Sequence, residues 1–153
     1  MKTPPIKRSK ALIQVSRDHH HGLLLCWKIR TGFSKGIAVE RIKRYTDWFF
    51  ETHLVPHFNM EEKYIFPILG NKNDMVQKAL SEHDQLIRLF TDAQEIENSL
   101  NTIEVALEHH IRFEERVLFK EIQKVATEKQ LKTISELHNN VKFHDNIDDE
   151  FWK

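Results

Sequence analysis

The chain predicts an all-α fold, an up-down-up-down four-helix bundle with a short C-terminal fifth helix, on three observations. Apolar residues recur at helical spacing, and the alternation of Val, Ile and Thr that marks strands is nearly absent. Only four Gly and four Pro interrupt the 153 residues. Four periodic stretches of similar length follow one another through short connections, as adjacent helices of a bundle do.

The elements follow in order. Helix A is expected from Lys7 to Arg30, stopping near Thr31-Gly32, with Ser34-Lys35-Gly36 as the turn. Helix B runs from about Ala38 to Phe66, where Pro67 and then Gly70-Asn71 end it. Pro56 lies inside helix B, removes one backbone donor and predicts a kink. Helix C starts near Asn73-Asp74, either of which can cap it, and continues to about Asn98. Helix D starts after Asn101 or Thr102, with Glu104 early in it, and ends near Ala126. A shorter fifth helix begins at Thr127-Glu128 and reaches about His138; beyond Asn139-Asn140 an acidic tail carries Phe151-Trp152, loosely ordered or packed on the bundle. At 1.5 Å per residue the four long helices match at roughly 35–45 Å each. No linker or shift in composition divides the chain, so a single domain over 1–153 is expected, with its core bundle at about 7–126.

Composition excludes several function classes. Lys plus Arg and Asp plus Glu balance at 23 each, which argues against a nucleic-acid or anionic-membrane surface. The one basic cluster (Lys2, Lys7, Arg8, Lys10) is too small to alter that. Cys26 is alone, so no internal disulfide forms and a reducing compartment is expected. The N-terminal charge has no apolar stretch behind it as a leader would. The longest strictly apolar run, Leu23 to Trp27, is far short of a membrane span. A cytoplasmic protein is the expectation.

Ten histidines are the compositional oddity, and their placement carries the functional reading. HFNMEEKYIFP, from His57, and HIRFEERVLFK, from His110, repeat one pattern: a His, a Glu four residues on, a second Glu, then an apolar cluster. Residues i and i+4 stack on one helix face, so each copy aims an imidazole and a carboxylate at one point. Helix phase indicates which side chains face inward. His110 and Glu114 share a stripe with Ile103, Leu107, Val117 and Leu118; His83 lies among Val76, Ala79, Leu80, Leu86, Ile87 and Phe90, with Glu82 and Asp84 turned outward. Phe50, His53, His57, Met60, Glu61 and Tyr64 line up on helix B. On helix A, His19 shares a face with Leu12, Val15, Leu23 and Cys26, and His20 with Ile13, Leu24 and Trp27; His19 is favoured and His20 stays open.

Each of four helices thus offers one inward His, and two add a Glu. A single inward His is more often a hydrogen-bonded core residue, and a single His–Glu pair can be a surface ion pair. Six such groups at one level of a core demand a compensating cation. Two carboxylates can bridge two metal ions that four imidazoles cap two each, leaving room for a bridging hydroxide or oxo group and an exchangeable position. His21, His138 and His144 read as surface residues, Cys26 as a core thiol, and Trp27, Trp48, Phe49, Phe50, Phe66, Phe113 and Phe119 as packing.

Taken together, Asp18-His19-His20, PHFNMEEKYIFP, Glu82-His83-Asp84 and HHIRFEERVLF resemble the hemerythrin-like family of HHE cation-binding domains over most of the chain. The resemblance implies a non-haem di-iron centre, two iron ions or another divalent transition metal, that binds O2, NO or peroxide or senses iron or redox state. Its implied ligands are His19 or His20, His57, Glu61, His83, His110 and Glu114. Two positions depart from the oxygen-carrying members. Ile87 stands where they place a second His four residues after the third-helix His, so one metal loses a nitrogen or His53 supplies it. Glu115, preceded by Glu114, stands where they use an Asp. Iron-sulfur repair members carry an N-terminal cysteine-bearing segment, and nothing like it precedes Lys7. A di-iron oxidase or ferroxidase is the second reading, weakened because no Glu lies three residues before any His as that class requires. A metal-free structural bundle is the third.

Overall fold

The computed structural model describes residues 9–138 and 143–153. The expected helix start at Lys7, the basic residues Lys2, Lys7 and Arg8, and the Asn139-Asn140 boundary lie outside the described residues. Among the described residues the secondary structure is helical, with no strand, and groups into five rods.

Rod α1 is Lys10–Ser34, opened by Ser9, whose Oγ accepts from the Leu12 N–H. It passes the expected stop at Thr31-Gly32 because Gly32 is a packing position. A Cβ there would lie 2.7 Å from Phe151 Cε2 and 2.9 Å from Ile42 Cδ1. The stop comes at Gly36, whose φ of 70° is a left-handed cap, with Ile37 N–H returning to Gly32 O.

Rod α2 spans 39–68 and ends at Gly70, again at positive φ. Two of its turns, Phe50–Leu54 and Glu61–Ile65, are π turns, in which Val55 N–H reaches Phe50 O and Phe66 N–H reaches Glu61 O. Pro56 follows the first of them, so its missing donor falls where the hydrogen-bond ladder is already displaced.

Rod α3, Asp74–Thr91, is capped by Asn73, whose Oδ1 accepts from Met75 and Val76 N–H. It stops well short of the expected Asn98. Asp92 takes the backbone N–H groups of Gln94 and Glu95 and the Ser99 hydroxyl on its carboxylate, a local alternative that outcompetes continuing the helix. Rod α4 therefore starts earlier than expected, at Ile96, and spans 96–125 with a π turn over Glu114–Leu118. That wider turn rotates the following residues. Val117, expected in the core stripe, is 42 % exposed, while Leu118 is buried. Rod α5, Glu128–His138, begins with a reciprocal bond pair between Thr127 and Gln130.

The apolar core falls into two clusters. One draws on the C-terminal halves of α1 and α3 and the N-terminal halves of α2 and α4, with Ile29, Ile42, Phe50, Phe90 and Ile103, and the tail adds Phe151 and Trp152. The other draws on the opposite halves, with Leu12, Phe66, Ala79 and Phe119, and includes Ile134 of α5. Trp27, expected to pack, is instead 47 % exposed. The tail is clamped: buried Lys28 donates to Tyr45 Oη and Asp145 and sits 4.0 Å from the Trp152 ring, while Lys35 bonds Trp152 O and Arg41 pairs with Asp149. No helix among the described residues is long and apolar enough to cross a membrane.

Candidate metal centre

Between the two apolar clusters every long rod changes from apolar to polar for one turn. His19 on α1, His57 and Glu61 on α2, His83 on α3, and His110 and Glu114 on α4 are all buried there. Their ligand-type atoms form two groups, His19, His57, Glu61 and Glu114, and Glu61, His83, His110 and Glu114; within each group the atoms lie within 4.8 Å of one another. The two carboxylates belong to both groups, and each group takes two imidazoles. His20 is not brought in: it is exposed on the face of Ile13, Leu24 and Trp27, which are themselves 37–47 % exposed.

The distances show why protein atoms alone do not satisfy this site. His57 Nε2 is 3.2 Å from Glu61 Oε1, and His110 Nε2 is 3.0 Å from Glu114 Oε1. His83 Nε2 is 3.3 Å from Glu61 Oε1, and His19 Nε2 is 3.1 Å from Glu114 Oε1. Despite this closeness, both oxygens of Glu61, both of Glu114, and Nε2 of His83 and His110 make no hydrogen bond. His19 and His57 meet Nε2 to Nε2 at 3.2 Å. Buried acceptors aimed at one another are costly unless a positive charge lies between them. His and carboxylate donors in this proportion suit a first-row transition metal.

Behind each imidazole stands a carboxylate. Nδ1 of His19 meets Glu115 at 2.6 Å, His57 meets Asp18 at 2.9 Å, His83 meets Glu62 at 2.8 Å and His110 meets Glu82 at 2.8 Å. An ionised carboxylate only accepts, so each Nδ1 carries a proton, and each Nε2 presents a lone pair inward whenever its imidazole is neutral. Glu62 and Glu115 are the second glutamates of the two repeats. Asp18 directly precedes His19 in the chain, and Glu82, expected to turn outward, instead bonds His110. Tyr64 lines the neighbouring cavity. His138, expected at the surface, has a 9 % exposed side chain and reaches Asp18 through Nε2 at 2.9 Å.

The electrostatics follow from this crowding. Burial by itself depresses the His57 imidazole, but the charges of Glu61 and Asp18 outweigh it and hold it up at about 9. The same balance, through Glu114 and Glu82, lifts His110 to about 10. Burial opposes ionisation of Glu61 and Asp18, yet their imidazole partners keep both carboxyls below their ordinary range. Burial pushes the Cys26 thiol up to about 12, which leaves it an inert core group.

A cavity of about 340 Å³ opens on one side of the centre. His19, His57, His110 and Glu114 line it, whereas Glu61 and His83 do not. His83 is covered by Phe58, stacked at 3.8 Å. His53 belongs to neither ligand-type group; it lines the outer part of the cavity, as does His21, expected at the surface but stacked under Phe143 at 3.8 Å. His144 is exposed, as expected.

Comparison with known proteins agrees with this geometry. The family model of the hemerythrin HHE cation binding domain matches residues 10–122, which contain the six clustered side chains and all four carboxylates behind them. No curated protein and no solved structure matches the chain. By that match over most of its length, the chain belongs to the hemerythrin HHE cation-binding domain family.

Proposed function

We propose that this protein holds two metal ions, irons by preference, in an up-down-up-down bundle and binds a small redox-active molecule beside them. The observation that carries the reading is the sharing of Glu61 and Glu114 between two groups of buried ligand atoms. His19 and His57 would hold one ion, His83 and His110 the other, and the two glutamates would bridge. The rods alternate in direction because opposite halves of successive rods enter each apolar cluster. When bound, a pair of irons supplies electrons and an exchangeable position to O2, NO or a peroxide. The protein's own part is to orient the four Nε2 lone pairs through the carboxylates behind them. Phe58 and Phe119, stacked on His83 and His19, keep water from the imidazole faces. Access belongs to the side of His19, His57 and His110, where the cavity meets the centre. The lone buried thiol fits a reducing, cytoplasmic setting.

Metal analysis of the protein purified from cells, with an ultraviolet-visible spectrum after exposure to air, tests this. About two metal ions per chain are expected, and His57→Ala or His110→Ala should remove most of them. Fewer than one ion per chain, even after anaerobic reconstitution with iron, would overturn the reading. So would metal content unchanged by both substitutions.

A further inference from the structure

The fifth helix reaches the metal centre, although none of the six clustered side chains belongs to it. It lies beyond residues 10–122, where the family match ends. Two contacts seat it along the first half of α1. Ile134 is buried in the cluster that holds Leu12 and Val15, and Ser135 Oγ donates to Gln14 Oε1 at 3.1 Å. That seating brings His138, in the last turn, to Asp18. Its Nε2 lies 2.9 Å from Asp18 Oδ2, and only 9 % of the side chain is exposed. The carboxylate offers acceptors only, so His138 Nε2 is the donor.

The same oxygen takes the Nδ1–H of His57, also at 2.9 Å. Asp18 therefore joins three helices: it belongs to α1, holds an imidazole of α2 and is held by an imidazole of α5. Two N–H bonds on one oxygen fix where that oxygen lies, because the carboxylate cannot exchange its oxygens without losing both. Glu82, behind His110, shows the contrast. Its second partner is Lys78, one turn earlier on the same helix and 54 % exposed, an arrangement that restrains little. A buried donor from a separate helix is a different restraint, since it acts only while that helix is docked.

We propose that His138 is a positioning residue for the ion held by His19 and His57. By anchoring Asp18 it sets the orientation of the His57 ring, and it makes docking of the fifth helix and occupancy by that ion favour each other. The inference rests on the two-ion reading above. The carboxylates behind His83 and His110 are Glu62 and Glu82, on α2 and α3. His138 therefore acts unequally on the two ions. Coupling of this kind is reciprocal: what the helix does for the ion, the ion does for the helix.

Anaerobic titration of the metal-depleted full-length protein with Fe(II) against a competing chelator, resolved into its two binding steps, tests this. His138→Leu should weaken one step about tenfold and leave the other nearly unchanged. His138→Gln, whose amide can donate in place of Nε2, should restore the weakened step. In an Asp18→Ala background, His138→Leu should have no further effect on iron, because the group it acts through is gone. Iron should also raise the hydrogen-exchange protection of Glu128–His138 in the unsubstituted protein. Iron affinities that His138→Leu leaves unchanged overturn the proposal. So does a loss of the same size with and without Asp18, which would mark His138 as merely holding its helix. If His138→Leu does not fold, the exchange measurement decides: a fifth helix whose protection is indifferent to iron overturns the proposal. A chain that binds fewer than one iron defeats the metal centre itself, whereas two irons bound at undiminished strength by His138→Leu defeat this inference alone.

Discussion

Asp18 holds two imidazoles on one oxygen, His57 from the inside and His138 from the outside. It is part of a closed ring. Each long rod supplies one inward His and one carboxylate that grips the His of a neighbouring rod: Asp18 to His57, Glu62 to His83, Glu82 to His110, Glu115 to His19. Such outer partners fix the tautomer and raise ligand basicity. Asp18→Asn keeps an acceptor but loses the charge, and a competitive chelator titration should show metal affinity lowered by roughly 10–100-fold. Circular dichroism should show the helices intact. The six inward groups were legible from helix phase and the HxxxE repeat. His19 separates from His20 because the His20 face carries the exposed Ile13, Leu24 and Trp27. Asp18 and Glu82 were not legible. Each immediately precedes an inward His, about 100° around the helix, and its role appears only once a neighbouring rod stands within reach. His138 lies on a separate short helix, and phase within one helix says nothing about the partner it meets.

At the scale of elements, capping chemistry decided what periodicity could not. The apolar pattern runs on past Thr91, yet the carboxylate of Asp92 gathers two backbone N–H groups and the Ser99 hydroxyl and so divides α3 from α4. Asp92→Ala should cost about 1 kcal/mol, which for a chain of this length lowers the thermal midpoint by roughly 2–4 °C. A thermal melt checks the value, and an unchanged midpoint would show that the turn holds without its side chain. The π turns were equally hidden, since no residue type encodes them. Of the three among the described residues, two start at Glu61 and Glu114, the shared carboxylates. An extra residue per turn changes which later side chains face inward, and Val117 emerged exposed for that reason. Widened turns of this kind concentrate where function constrains a helix.

For the whole molecule, the site ties stability to protons and to metal in opposite senses. In the metal-free chain His57 and His110 titrate at about 9 and about 10, above the ordinary imidazole value of 6.5. Raised imidazoles contribute stability that is fully present below 6.5 and is lost as pH climbs through the folded values. Chelator-treated protein should therefore melt at progressively lower temperature from about pH 7 to pH 10. Metal-loaded protein should show no such decline, because its imidazoles are already neutral and a cation replaces the protons. Parallel melts with and without chelator across that range check this; curves that fall together would show that the imidazoles do not bind the ion. The all-helical class was legible at this scale, and so were the tail aromatics as packing groups. The anchoring of the tail was not, because the partners of Lys28 lie at Tyr45 and Asp145, far apart in the chain.

That anchoring reaches the mouth of the cavity. Phe143, the cover over the cavity mouth, is two residues from Asp145, and Asp145 is gripped by Lys28 and Tyr45 among the apolar residues remote from α5. The shutter over the entrance is thus hinged on the same apolar cluster that seats the tail. Loosening the indole of Trp152 or the phenyl ring of Phe151 from its seat over Gly32 would slacken that hinge and widen the doorway, although neither ring touches the visitor.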